Sequence, residues 1–268
     1  MKPWWKDVMA MEFRKIFAYR SDFWITFLGQ IFIQLLVTVS LWQAIYQGNE
    51  VKTMQGYGLE QMALYYLVAN IGMRILWGEN IGFISREIYE GTFTRYLLYP
   101  ISFFQYKTIS SLSYSLFYST QLLLFYFLYH LFFIETGISY GDLSHLFTGL
   151  FLFLISAMLF LQLAFMIELL ALWVDNVWTL MIMVRFFITF FGGGFIPLKF
   201  LPHWAQDLLH WTPFPYLIDL PVRTILGLST QNEMLDGILL TFVWIILLSI
   251  AVKIIWSKGQ KQYTGVGI

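Results

Sequence analysis

The stretch FISREIYEGTFTRYLLYPISFFQYK, residues 83–107, separates two long apolar runs at 59–80 and 108–134. It carries Arg86, Glu87, Glu90, Arg95 and Lys107 among many aromatic and aliphatic residues. Ile84, Ile88, Thr92 and Phe93, then Tyr96 and Leu97, recur at spacings of three and four, which places them along one side of a helix at about 84–97. Arg86, Glu87, Glu90 and Arg95 mostly fall on the other sides. Pro100 disfavours helical backbone at Tyr99 and ends the helix there. Gly91 interrupts it at a cost of about 1 kcal/mol relative to alanine. Such a rod either rests on lipid headgroups or fits a partner's groove, and its periodicity does not choose between the two.

The flanking runs decide the setting of this segment. A helix that crosses a bilayer needs about 20 mostly apolar residues. Six stretches qualify: 23–46, 59–80, 108–134, 146–167, 177–196 and 237–256. The 59–80 stretch is interrupted by Glu60, Arg74 and Glu79, and the 177–196 stretch contains Arg185 and closes in Gly192, Gly193 and Gly194. The expected fold is therefore an all-α polytopic membrane protein, one domain over 1–268. Lys2, Lys6, Arg14, Lys15 and Arg20 precede the first run; Arg86, Arg95 and Lys107 follow the second; Lys253, Lys258 and Lys261 close the last. The opposite side carries only Lys52, Lys199 and Arg223. Basic residues mark the cytoplasmic side, so both termini and the 84–97 segment are expected there. The first apolar run reads as a retained span rather than a cleaved signal.

Composition agrees with this placement. Of 268 residues, 59% are hydrophobic and 12% charged, against about 25% charged in soluble domains. The formal net charge is zero, so nothing calls for nucleic acid as a partner. Cysteine is absent, which excludes disulfides and thiolate chemistry. The four histidines are scattered, and no metal ligand set is expected. His203, Asp207 and His210 recur at i, i+4 and i+7 and come nearest to a site, the one feature favouring a membrane enzyme that acts on lipid intermediates. Flanking Trp204 and Trp211 fit an interfacial helix equally well.

Three further regions are singled out. Residues 4–17 place Trp5, Val8, Met9, Phe13, Ile16 and Phe17 on one helical face, an interfacial helix that either anchors the first span or moves with it. Asp22 is placed to cap the span that follows. Residues 192–221 hold five of the seven prolines, a triple glycine and HWAQDLLHW; they read as a broken, partly re-entrant cap, with the glycines easy to bend or unwind. Arg185 lies about 12 Å into its span by helical rise. A charge at that depth pairs, faces a cavity or snorkels; Glu168 is its candidate partner, and Arg74 could pair with Glu79. No string of acids crosses the membrane, which leaves a secondary transporter or channel with little support.

Several stretches together resemble the permease subunits of ABC-2 type transporters, in the branch of short six-span bacterial proteins. They are FRKIFAYRSDFW (13–24), REIYEGTFTRYLLYPISFFQYK (86–107), DNVWTL (175–180), GGGFIPLKFLPHW (192–204), PFPYLIDLPVRTILG (213–227) and WSKGQKQYTGVGI (256–268). The tail departs from the family pattern, with Gln260, Lys261 and Gln262 where arginines are usual. The resemblance implies a non-enzymatic subunit in the bacterial cytoplasmic membrane that exports its substrate. Two copies of a separate ATPase would hold ATP and Mg; this chain has no phosphate-binding loop of the form GxxxxGK[ST]. A second permease, identical or homologous, would complete the route. The 84–97 segment would be the coupling helix: Arg86, Glu87, Glu90 and Arg95 would meet the ATPase, Ile88, Phe93 and Leu97 would seat the helix, and Gly91 would allow close contact. Residues 197–225 would form the outer cap, with Gly192, Gly193, Gly194, Pro197 and Pro202 in the outer gate. Relatives move drugs, peptides, lipids and glycans, and this composition does not select among them.

Overall fold

The computed structural model describes residues 3–18, 20–48, 52–78, 83–133, 141–174 and 177–263. Glu79, the first two residues of DNVWTL and the last five of the tail lie outside these, as do the side chains of Asp22 and Leu97. The described residues are almost entirely helical. In chain order the helices are α1 (Trp4–Ala18), α2 (Arg20–Gly48), α3 (Leu59–Trp77), α4 (Phe83–Tyr89), α5 (Thr94–Leu98), α6 (Phe103–Phe133), α7 (Leu143–Glu168), α8 (Trp178–Phe191), α9 (His203–His210), α10 (Asp219–Ile225) and α11 (Gln231–Gly259). The exception is a two-stranded hairpin between α2 and α3, in which Thr53 faces Gly58 and Met54 faces Tyr57. Gln55 and Gly56 turn it with φ of 50° and 85°, the left-handed pair that suits a two-residue hairpin.

A helix stands at each of the six apolar stretches. Three are long and apolar enough to cross a membrane by length and composition: residues 24–48, 143–172 and 231–259. The fifth stretch is shorter than expected, since α8 ends at Phe191 rather than 196. Its 14 residues rise about 21 Å, less than the hydrocarbon thickness of about 30 Å. The stop lies in the next residues: Gly193 has φ of 89°, a left-handed conformation that no helix continues through.

α7 is the central helix. Two thirds of its most apolar window is buried, against 11% for α2 and 17% for α11. It packs against α10, α11, α3 and α6, and α2 and α11 leave long apolar faces uncovered. α3 and α6 approach closely because α6 presents serines: Ser115 donates through Oγ to the Ile75 carbonyl at 2.7 Å, and Ser113 and Ser119 turn their hydroxyls back onto their own helix. Small residues of this kind set close contacts between helices in lipid. α1 lies along α6 through Val8, Glu12 and Ile16, a stripe at spacing four. Glu12 is almost fully buried there and accepts from Ser110 Oγ at 3.0 Å and from Lys15 Nζ. The apolar face expected on α1 is split by this contact, with Trp5 and Phe17 turned outward.

Candidate functional site

The helix expected over 84–97 is two helices, α4 and α5, separated by a turn. Gly91 has φ of 71°, which a residue with a Cβ adopts at a cost of about 1–2 kcal/mol. Gly91 N–H donates to the Ile88 carbonyl at 3.1 Å and Phe93 N–H to the Glu87 carbonyl at 2.9 Å. The turn drives Phe93 into a second apolar cluster with Ile84, Ile88, Tyr96, Phe103, Phe165 and Val252. Ile88 and Phe93 are therefore seated inward, as their spacing indicated.

Glu87 departs from the outward position expected of it. Its side chain is buried, and Oε1 accepts from Tyr96 OH at 2.8 Å, Arg95 Nη2 at 2.9 Å and Lys107 Nζ at 3.3 Å. Oε2 makes no hydrogen bond and meets only the Lys107 charge, at 3.3 Å. Burial, then the hydrogen bond to Glu87 and its charge, push the Tyr96 phenol up, so Tyr96 remains a donor. One carboxylate thus joins α4, α5 and the first turn of α6. The reason is spacing in three dimensions: the Gly91 turn folds Arg95 and Tyr96 back over Glu87, which a continuous helix would have held apart. Arg86 and Glu90 pair with each other at 2.7 Å on the exposed face, where Tyr89 is also exposed.

Two long helices hold this segment from behind. Glu168, buried at the end of α7, accepts from the backbone N–H of Ile84 at 2.8 Å and of Ser85 at 3.3 Å. It therefore caps the start of α4 from another element, where an anion is favoured by unpaired N–H groups. From α11, Trp256 packs edge-on against Phe93. Beyond it, Tyr263 OH lies 3.2 Å from the Gly91 carbonyl and 3.0 Å from Thr94 Oγ1.

The glycine run that follows α8 is closely surrounded. A Cβ on Gly193 would come 2.7 Å from Tyr65 OH and 2.8 Å from Asp219 Cβ. Tyr65 OH lies 2.9 Å from the Gly193 carbonyl and 2.9 Å from Asp219 Oδ1. Asp219 N–H donates to the Gly192 carbonyl at 2.8 Å, and Leu198 N–H donates to Asp219 Oδ1 at 3.1 Å. Asp219 Oδ2 accepts from Arg223 Nε at 2.7 Å, and Arg223 Nη1 reaches Glu233 Oε2 at 3.1 Å. Glu233 also closes a capping box with Thr230 at the start of α11. Asp219 is the hub of this region; its only signal in the sequence is an Asp and an Arg four apart. Pro197 and Pro202 precede the 3-10 turn Leu198–Phe200 and α9. Asp207 and His210 line a cavity of about 300 Å³ with Lys199, Arg223 and Asp236, and His203 is not among its lining residues. Among the described residues no group of His, Asp or Glu is placed to hold a metal ion.

Of the charges within the apolar stretches, Glu79, the expected partner of Arg74, lies outside the described residues. Arg74 donates to Gln30 Oε1 and lies 5.1 Å from the Phe27 ring centroid. Arg185 forms no ion pair with Glu168. Its guanidinium lies 5.6 Å from the Trp77 ring centroid, and its Nε is buried without an acceptor.

Residues 32–267 match the family described as ABC-2 family transporter protein. No curated protein and no solved structure matches the chain.

Proposed function

Because the chain belongs to the ABC-2 transporter family, we propose that it is the membrane-spanning permease subunit of an ATP-driven exporter whose ATP is hydrolysed by a separate subunit. The helices α2, α3, α6, α7 and α11, with the shorter α8 extended by the glycine turn that follows it, are its spans, both termini are cytoplasmic, and the membrane is the bacterial cytoplasmic one. Two permeases, identical or homologous, form the route, and two ATPase copies with ATP and Mg drive it. Residues 83–98 are the coupling segment, and the 192–225 region is the outer gate and cap.

One observation carries this reading. The amphipathic segment is a folded bracket, clamped by Glu87 from within, that leaves Arg86, Tyr89 and Glu90 as an outward face. A segment that only rested on headgroups would need no buried ion pair, which costs desolvation on both sides. A segment that receives force needs a fixed shape. α7 and α11 support the same reading at their far ends. Toward the start of α7, Gly149 packs closely against Ile225 and the Pro221 carbonyl of α10, with Ser156 at mid-helix donating to the Tyr216 carbonyl at 2.6 Å; at the start of α11, Glu233 pairs with Arg223. Each long helix therefore touches the bracket at one end and the cap at the other. A shift of the bracket has two stiff routes to the cap, which is the two-state geometry that ligand-driven switching requires.

The roles of the bracket residues divide accordingly. Arg86, Tyr89, Glu90 and the exposed part of Arg95 meet the ATPase; Glu87, Ile88 and Phe93 hold the bracket's shape. The absence of cysteine makes the test direct. A cysteine placed at Glu90 should react with a membrane-impermeant maleimide only after the cells are opened, and one at Gln206 should react in intact cells. With the ATPase co-expressed, Arg86→Glu combined with Tyr89→Ala should abolish co-purification while leaving the permease inserted. Labelling of the Glu90 position in intact cells, or an unchanged ATPase yield, would overturn the proposal.

A further inference from the structure

Arg185 and Trp77 present two buried donors side by side with nothing to receive them. Arg185 Nε and Trp77 Nε1 both lack a hydrogen-bond acceptor, and the guanidinium stacks over the indole. Buried donors without partners are rare, and a buried cation without a counter-charge is costly. Glu168 acts on Arg185 only as a charge at longer range, since its Oε2 is turned to Ile84 and Ser85. An enclosed void lined by Trp77, Lys107 and Glu168 measures only about 10 Å³, the lower limit for one water. Arg185 does not line that void; it is half-buried and stands beside the exposed face of α8.

That exposed face is apolar. Ile182, Phe186, Phe187 and Phe190 are exposed around and beyond Arg185, with the Phe186 and Phe190 rings stacked at 6.2 Å. Arg185 sits about 10 Å into α8 by helical rise, so a small free anion would have to cross hydrocarbon to reach it. A molecule with an anionic head and an apolar tail would not.

We infer that Arg185 and Trp77 form a binding site for the phosphate or carboxylate head of an anionic amphiphile, whose tail lies along the aromatic face of α8, and that this amphiphile belongs to the class of exported substrate. The assignment of the amphiphile as cargo rests on the exporter reading above; the binding site does not.

The purified chain in phosphatidylcholine nanodiscs is titrated with dodecyl phosphate and, in parallel, with dodecylphosphocholine and dodecanol. Bound ligand is counted by mass spectrometry. Dodecyl phosphate should bind saturably, one per chain, and about tenfold or more tighter than either control, the usual effect of a hydrogen bond to a charged group. Arg185→Gln should remove that preference, Arg185→Lys should keep most of it, and Trp77→Phe should weaken it several-fold while keeping a ring under the guanidinium. The lysine and phenylalanine variants guard against a glutamine variant that fails to fold. Equal binding of the three probes, or an unchanged preference in Arg185→Gln, overturns the site. In the complex with its ATPase, dodecyl phosphate should raise ATP turnover saturably in the parent and not in Arg185→Gln. Binding without any change in turnover overturns the cargo assignment and leaves a resident-lipid site. Failure of any ATPase to associate would count against the exporter reading alone.

Discussion

Replacing Glu87 with alanine removes one carboxylate and strands three donors. Lys107 is the most affected: its side chain is 9% exposed, and Glu87 is its ion-pair partner among the described residues. Breaking a buried pair from one side costs about 3–5 kcal/mol, because the remaining charge stays in low dielectric. Tyr96 loses a charge-assisted hydrogen bond, in isolation about 1.5–3 kcal/mol. Arg95 loses little, because half of its side chain is in solvent and exposed pairs are worth about 1 kcal/mol at most. The three share one acceptor and do not add, so the loss to the bracket is about 3–4 kcal/mol. At 1.36 kcal/mol per tenfold, amide exchange across residues 83–98 and the first turn of α6 should rise by about two to three orders of magnitude. The loss should be local, since α3, α10 and α7 as far as Leu163 pack mainly in a separate cluster. Hydrogen exchange read by mass spectrometry on the inserted protein measures it directly. Glu87→Gln, which keeps an acceptor, should lose less. The double change Glu87→Ala with Lys107→Met should recover much of the protection, because the orphan cation is gone. Exchange within threefold of the parent in Glu87→Ala, or no recovery in the double variant, would refute the view that this carboxylate holds the bracket.

Three other expectations follow from the same contacts. Gly193→Ala should destabilise by about 2 kcal/mol or more, through left-handed backbone and contact with Tyr65 and Asp219; an unshifted thermal midpoint and normal efflux would show that the turn adapts. Tyr263→Phe should loosen the tail from the Gly91 turn by about 1 kcal/mol, visible as faster exchange near Thr94 and weaker stimulation of the ATPase, with insertion unaffected. Glu168→Gln should weaken the cap on α4 by about 1 kcal/mol and speed exchange of the Ile84 and Ser85 amides several-fold; if those amides do not change, the cap contributes nothing.

The two ends of the molecule use the same device. At the bracket, Glu87 gathers α4, α5 and α6; at the cap, Asp219 gathers α3, the glycine turn and α10, with Arg223 carrying the connection to α11. Both acids are buried, and both are paired with a basic residue. Polar hubs of this kind hold a small set of discrete arrangements better than apolar packing does, because a half-satisfied network is costly. A transporter that alternates between states would place them where shape must change as a unit.

The class of this protein was legible in its residues alone. Apolar runs of membrane length, basic residues gathered at three places and no cysteine require only hydropathy and charge to interpret, and both are local properties of the chain. The amphipathic segment and its apolar seats, Ile88 and Phe93, were legible for the same reason: helical period is a property of neighbours. What periodicity could not supply was direction across a turn. Glu87 reads as an outward charge on a continuous helix and becomes an inward hub only because Gly91 takes a positive φ and folds Arg95 and Tyr96 back. Glu168 was matched to Arg185 because both belong to neighbouring spans, yet it caps α4, 84 residues away. The glycine run suggested a bend, and the contacts that surround that bend, from Tyr65 and Asp219, come from residues far away in the chain. Asp219 itself carries no period or motif strong enough to find. Hydropathy along the chain marked which segments are apolar enough for lipid, since transfer energy sums over neighbours. Which buried charge answers which emerged from the fold, since pairing depends on distances between residues that the chain keeps far apart.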